Sequence, residues 1–178
     1  MKRFISFFTI FLSFVIAFAS EKTFTLVEGD LNPIKGGGNI FVTFDFEDAT
    51  YDNKEPLAVH YENLSELIVK VLSDFNQTLQ KKAKKINVVD KVTEAEYTVT
   101  VKVNNMDCYF KVMSFVPGSD TKMWGFVTIK DNVTGENIAV IKITECDGGR
   151  DFSVDDSFVK CFHKVGEELG KAMNKGKL

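Results

Sequence analysis

The side chains best suited to chemistry in this chain are its cysteines, its histidines and two groups of acidic residues. Cys108, Cys146 and Cys161 show no C-x-x-C spacing, and the two histidines, His60 and His163, lie far apart in the sequence. The spacing typical of a zinc site is therefore missing. A nucleophilic mechanism needs an oriented base, which only two histidines could supply. The sequence thus predicts no catalytic residue, no cofactor and no metal.

The acidic residues form two clusters in segments between the predicted elements. Asp48 and Asp52 belong to the first cluster, and Asp147 and Asp151 to the second. Paired carboxylates that face a cleft could hydrolyse a glycosidic bond, and several oxygens at fixed offsets could bind calcium. The segment 147–151 does not match the EF-hand spacing. Solvated turns and helix capping are the favoured explanation, and a carboxylate- or calcium-dependent hydrolase is an alternative.

The first nineteen residues have the pattern of a secretory signal peptide. Lys2 and Arg3 precede an uncharged apolar run, 4–16, and Ala17–Ala19 is a small-x-small cleavage site. The run is shorter than the roughly 20 residues that span a bilayer, so we expect no transmembrane span in the mature chain. The predicted location is the periplasm or the extracellular space.

The overall charge argues against two kinds of partner. The 178 residues include 22 Lys and Arg and 25 Asp and Glu, and 44% are hydrophobic, as in one globular domain. Without Lys2 and Arg3, 20 basic residues face 25 acidic ones, a net charge near −5. Proteins that bind nucleic acid or anionic membranes are expected to be basic. Neither partner is therefore predicted.

Export would place the three cysteines in a compartment where disulfides form. An odd number allows one pair and one free thiol. Cys161 falls on the apolar face of a predicted helix, where a thiol behaves as a small hydrophobe, whereas Cys108 and Cys146 lie at predicted strand ends. We predict a disulfide between Cys108 and Cys146. The alternative is three reduced, buried cysteines.

Two amphipathic helices are predicted to supply much of the core, over about 63–83 and 155–174. In each helix, apolar residues recur at steps of three and four, which makes one apolar stripe. Ser153 or Asp155 is the predicted N-cap of the second helix, and Gly176 follows its end.

Alternating apolar and polar residues predict most of the strands, and a short apolar run at 86–89 also fits a strand. The predicted strands are 23–27, 40–47, 86–89, 97–104, 109–116, 123–130 and 138–144. The resulting fold class is α+β, a two-layer sandwich. Its sheet would be mainly antiparallel, with about five strands and both helices on one face. The expected organisation is a signal peptide at 1–19, an N-terminal strand and Gly-rich linker at 20–38, and one domain at 39–178.

Aromatic residues bear on whether the second face of this sheet is covered. Phe41 interrupts the polar face of its strand, which suggests covering by the N-terminal strand or another subunit. Trp124 could form an exposed contact surface together with its aromatic and apolar neighbours Tyr109, Phe110, Phe115 and Val116. Burial in the core is favoured, because Trp is usually mostly buried.

The order of elements resembles small periplasmic domains typified by the TolB N-terminal domain, curli-secretion lipoproteins and outer-membrane activators of penicillin-binding proteins. Segments Phe24–Asp30, Phe44–Ala49 and Asp131–Glu136 look like those of uncharacterised secreted proteins from Bacteroidetes. The lipid-anchored relatives carry a cysteine after the signal peptide, and this chain has none there. The resemblance implies a place in the cell envelope and does not transfer a function.

These observations predict an exported, non-catalytic protein that binds or scaffolds a protein or another envelope component. A carrier of small ligands, using the cleft between sheet and helices, is an alternative, as is the hydrolase described above.

Overall fold

The structure, a computed structural model, describes residues 22–111, 118–151 and 153–178. The predicted signal peptide at 1–19 lies outside these ranges. The elements follow in the order β1 (Phe24–Gly29), α1 (Asn32–Lys35), β2 (Gly38–Asp45), β3 (Thr50–Tyr51), β4 (Glu55–Pro56), α2 (Leu57–His60), α3 (Leu64–Lys82), β5 (Ile86–Val88), a 3₁₀ turn (Val92–Glu94), β6 (Tyr97–Lys111), β7 (Gly118–Asp131), β8 (Asn137–Asp151) and α4 (Val154–Lys175).

One mixed sheet holds all eight strands of the described residues. Its order is β1-β8-β7-β6-β2-β5, with β3 beside β6 and β4 beside β3. Strands β1, β8, β7 and β6 pair antiparallel, whereas β2 lies parallel to β5 and β6, and β3 parallel to β6. The prediction of a mainly antiparallel sheet of about five strands with two helices was wrong. The α+β class is confirmed.

The parallel pairs arise from contacts that local sequence patterns do not show. β2, α3 and β5 form a crossover unit, in which a helix returns the chain to a parallel neighbour. β6 then pairs with the other side of β2. β3 and β4 have two residues each and β5 has three, too few to display an alternating pattern.

The two long helices follow their apolar stripes closely. α3 begins and ends one residue inside the predicted range, and α4 extends it by one residue at each end. Ser153, rather than Asp155, is the N-cap of α4, because its side chain accepts a hydrogen bond from the backbone N–H of Asp156. Gly176 ends α4 in the left-handed conformation, at φ 70°.

α3 and α4 lie side by side in the same direction, with their N-terminal ends joined by a 3.2 Å hydrogen bond from Asn63 to Asp155. Two glycines of α4 allow this close approach. A Cβ on Gly166 would lie 3.2 Å from the carbonyl oxygen of Phe75, and one on Gly170 would lie 2.7 Å from Cβ of Lys82. Small residues at a helix contact let the backbones pack closely.

Aromatic rings join the helices to the sheet. The ring of Phe44, on β2, meets those of Phe75 on α3 and Phe162 on α4 edge to face, at centroid distances of 5.3 and 5.4 Å. Phe158 lies 5.3 Å from Phe162 and 5.2 Å from Tyr61. Edge-to-face pairs stabilise a core beyond the area that they bury. This cluster fixes both helices on one side of the sheet.

Candidate functional site

The side of the sheet opposite the long helices is an open face. Side chains that alternate with the buried core residues point to this side, and they are half-buried or exposed. We call this surface the open face, and it comprises Thr25, Val27, Phe41, Thr43, Asp45, Thr98, Thr100, Lys102, Trp124, Phe126, Thr128, Val140, Lys142 and Thr144. It therefore combines aromatic rings, hydroxyl groups and lysines on one surface.

The register of the strands arranges these side chains in rows. One row runs Asp45, Lys102, Phe126, Lys142 across β2, β6, β7 and β8. Nζ of Lys102 lies 3.5 Å from carboxylate oxygens of both Asp45 and Asp48. These carboxylates raise the pKa of Lys102, with Asp45 the larger cause. Phe126 thus lies between the side chains of two cationic residues, Lys102 and Lys142.

Hydroxyl groups and a second aromatic ring flank this row. Thr43, Thr100 and Thr128 form the neighbouring row. Trp124 lies on the opposite side of the row that contains Phe126. It precedes Phe126 by two residues and is therefore about 7 Å away along the strand. Trp124 is half-buried, so it is neither fully in the core nor fully exposed.

At one end of the open face, charges alternate across three strands. Asp107, Lys122 and Asp147 lie opposite one another on β6, β7 and β8. Lys122 forms an ion pair with Glu145, whose carboxylate raises the lysine's pKa. Asp52 pairs with Lys54, and a hydrogen bond from that ammonium is the main cause of a lowered pKa at Asp52.

The four predicted acidic residues make separate contacts. Asp48 is exposed and pairs with Lys102, and Asp52 and Asp147 belong to the charged end just described. Asp151 lies 2.5 Å from Nζ of Lys160 on α4. No group of three or more His, Cys, Asp or Glu within 22–111, 118–151 and 153–178 is placed to hold a metal ion. A hydrolase or calcium site remains a prediction without support from these contacts.

Each histidine is oriented by a carboxylate through the same ring nitrogen. Nδ1 of His163 lies 2.9 Å from Asp74 and 3.0 Å from the hydroxyl of Thr78. In a catalytic triad the carboxylate and the nucleophile contact opposite ring nitrogens, so this arrangement is not a triad. Nδ1 of His60 lies 2.9 Å from Glu55.

A groove of about 630 Å³ follows the seam between α3 and α4 on the solvent side. Lys160 forms an ion pair with Asp151 within it, and the ring of His163 contacts Asp74 beside it. Its lining consists of Val69, Lys70, Ser73, Asp74, Gln77, Asp151, Asp156, Val159 and Lys160. This groove lies outside the helix layer, not between helices and sheet. A ligand in the latter cleft remains a prediction.

The predicted disulfide between Cys108 and Cys146 was wrong, because all three cysteines are free and buried. Cys108 lies on β6 opposite Thr121, and Cys146 on β8 opposite Met123, so β7 separates them. Two strand spacings amount to about 9.6 Å, more than the roughly 7 Å between Cα atoms that a disulfide can bridge. Cys161 on α4 donates a 2.9 Å hydrogen bond to the carbonyl of Thr121.

We expect none of the three thiols to react with a maleimide in the native protein. Burial raises the pKa of all three thiols, that of Cys146 to about 12 and that of Cys161 well above its ordinary value, and the thiolate is the reactive form. Mass spectrometry should find unlabelled protein at pH 8 and three labels after denaturation. A Val133→Cys variant is the control, since Val133 is 88% exposed, and it should gain one label at once. Rapid native labelling of Cys108, Cys146 or Cys161 would contradict this burial.

Sequence reasoning missed most of the open face. Phe41 did signal a face that is not simply polar, and Trp124 was considered as a contact residue. Tyr109 and Phe110, also named with Trp124, have side chains outside the described part of the chain, and so do Phe115 and Val116. Phe126 was part of a predicted strand, but its neighbours became visible only through the strand register.

No helix in the described residues is long and apolar enough to cross a membrane. No family model and no curated protein matches the chain.

Several solved structures resemble the fold at low identity. A PelC dodecamer from Paraburkholderia phytofirmans is 9% identical, with a TM-score of 0.45, over 84% of this chain and 97% of that chain. A neuraminyllactose-binding hemagglutinin homologue from Helicobacter pylori is 11% identical, with a TM-score of 0.38, over 82% and 87%. A DUF330 protein from Xanthomonas campestris is 11% identical, with a TM-score of 0.42, over 79% and 85%. These likenesses are too distant to carry an argument about function, and the resemblance to TolB, curli-secretion and activator domains stays a prediction.

Proposed function

We propose that this protein is exported and acts by binding, as a scaffold or adaptor that contacts a protein or another envelope component through the open face. The observation that supports this proposal is the pair of half-buried aromatic residues Trp124 and Phe126, together with Phe41, on a sheet face that neither long helix covers. The predicted signal peptide supports a location in the periplasm or outside the cell.

The composition of the open face suits a contact surface. A sheet face that only meets water is ordinarily polar, whereas aromatic residues are enriched at the centre of protein interfaces. Phe126 lies between Lys102 and Lys142, whose methylene groups can pack on the ring while their charges remain in water. Around them, threonine hydroxyls offer both donors and acceptors. The surface can therefore make apolar and polar contacts at once.

Site-specific photo-cross-linking in the native cells tests this proposal. A benzophenone amino acid at Phe126 is expected to give a discrete cross-linked product, because its ring would lie inside the contact. The same group at Val69, which is 69% exposed on α3, is the matched control on the helix side and should give no such product. Because Phe126 is itself aromatic, a benzophenone side chain differs less from the native side chain there than it would at a polar or aliphatic position.

Two results would count against the proposal. One is equal cross-linking from positions 126 and 69, which would indicate random collision. The other is the absence of any product from position 126 in a folded, exported protein. Loss of the product on a Trp124→Lys background would add support, since Trp124 is adjacent on the same face.

A further inference from the structure

We propose that the occupant of the open face is a second copy of this chain, packed face to face about a two-fold axis. This inference rests on the proposed function, because it uses the same face and names the partner. Two sheets that pack in this way form a β-sandwich, with strand directions nearly aligned. A two-fold interface must be complementary to itself. Whether the open face meets this condition depends on which charges and rings its rows place over one another.

The row Asp45, Lys102, Phe126, Lys142 distinguishes between two possible two-fold axes that run parallel to the strands. An axis that runs along β7 itself would place Lys102 of one copy over Lys142 of the other, and like charges would repel. An axis parallel to the strands, between β6 and β7, exchanges β6 with β7 and β2 with β8. It places Asp45 over Lys142 of the second copy, and Lys102 over Phe126 of the second copy.

Each of these contacts is favourable and occurs twice by symmetry. Asp45 would lie between Lys102 of its own copy, 3.5 Å away, and Lys142 of the other. A lysine over an aromatic ring gains cation–π attraction. In the next row, Thr100 faces Thr128 of the second copy, and two hydroxyls can share a hydrogen bond. In no row do the residues of β6 and β7, the two strands beside the axis, place like charges over each other.

The area of the face sets the expected strength. Five strands at about 4.8 Å spacing and about seven residues at 3.3 Å each give a surface on the order of 20 by 23 Å. The resulting area of about 460 Å² is about a quarter below the roughly 600 Å² per partner at the lower end of stable interfaces. We therefore expect reversible association with a dissociation constant of about 1–100 µM.

Sedimentation equilibrium of the exported chain with charge-swapped variants tests this proposal. The unmodified protein is expected to show a monomer–dimer equilibrium over about 1–100 µM. Asp45→Lys and Lys142→Asp should each weaken dimerisation by about tenfold or more. The double variant, which restores opposite charges across the axis, should recover most of that loss. Matched controls are Asp90→Lys and Lys177→Asp, two exposed residues away from the open face, which should leave dimerisation unchanged.

The outcomes separate this inference from the proposed function. A protein that stays monomeric throughout this range, or a double variant as weak as the single ones while thermal melts show folded protein, would overturn the second copy as partner. If such a monomer still cross-links from position 126 to a different component, the proposed function stands and this inference fails. A monomer with no product from position 126 defeats both.

Discussion

Replacing Gly125 by alanine is expected to lower the free energy of unfolding by about 3 kcal/mol or more. A Cβ at this position would lie 2.1 Å from the carbonyl oxygen of Lys102. The obstacle is backbone of the neighbouring strand β6, where Val103 lies opposite Gly125, so it cannot move aside without breaking the ladder. Urea denaturation measures the loss, and the fluorescence of Trp124, the only tryptophan, reports it next to the site.

Gly36→Ala is the matched control for this substitution. Gly36 has φ −63° and ψ −21°, which any residue adopts, and a Cβ there would meet nothing within 4 Å. We expect no loss, and a gain of about 0.5 kcal/mol from the less flexible unfolded chain. A Gly125→Ala protein as stable as the unmodified one would mean that β6 and β7 do not approach so closely, and the geometry of the open face would then be different.

The Phe162→Ala substitution is expected to cost about 3–5 kcal/mol of the free energy of unfolding. Phe162 is fully buried on α4, and its ring contacts those of Phe44, Phe46 and Phe158. Removing the ring leaves a cavity between helix and sheet that the surrounding side chains cannot fill. Urea denaturation monitored by circular dichroism measures the change.

Val133→Ala serves as the control, because Val133 is 88% exposed in the loop between β7 and β8, and we expect a change within about 0.5 kcal/mol. A loss below about 1 kcal/mol for Phe162→Ala would contradict the packing of the aromatic cluster. The loss of unfolding free energy for Phe162→Leu should lie between the losses for Phe162→Ala and Val133→Ala, since leucine fills part of the space but forms no edge-to-face contact.

The helices were predictable because their signal is local. In α3, the fully buried Leu67, Val71, Phe75 and Leu79 recur every four residues, and such a stripe has one direction in which to face. The N-cap and the glycine after α4 are also short-range signals. What no stripe could show is that Gly166 and Gly170 bring α4 against α3.

The strands were harder because pairing depends on distant residues. β6 carries an irregularity opposite β7, between Val103 and Asn105. β8 carries another, opposite the β7 residues Met123 and Gly125. Glu145, in the second of these, has φ 49°. An extra residue shifts the alternation, so β6 was divided into two predicted strands and β8 ended too early. The parallel pairing of β2 with β5 and β6 is not visible in the residue pattern of any of these three strands.

The sequence alone determined the α+β class, the two long helices and the buried character of Cys161, because each depends on side chains a few residues apart. The strand order, in contrast, depends on long-range pairing, and it places β7 between Cys108 and Cys146, which prevents a disulfide between these two residues. The same strand order assembles the open face, since Asp45, Lys102, Phe126 and Lys142 become neighbours only across four strands. A surface made by register cannot be read along one strand, because the contacts that create it join residues far apart in the chain.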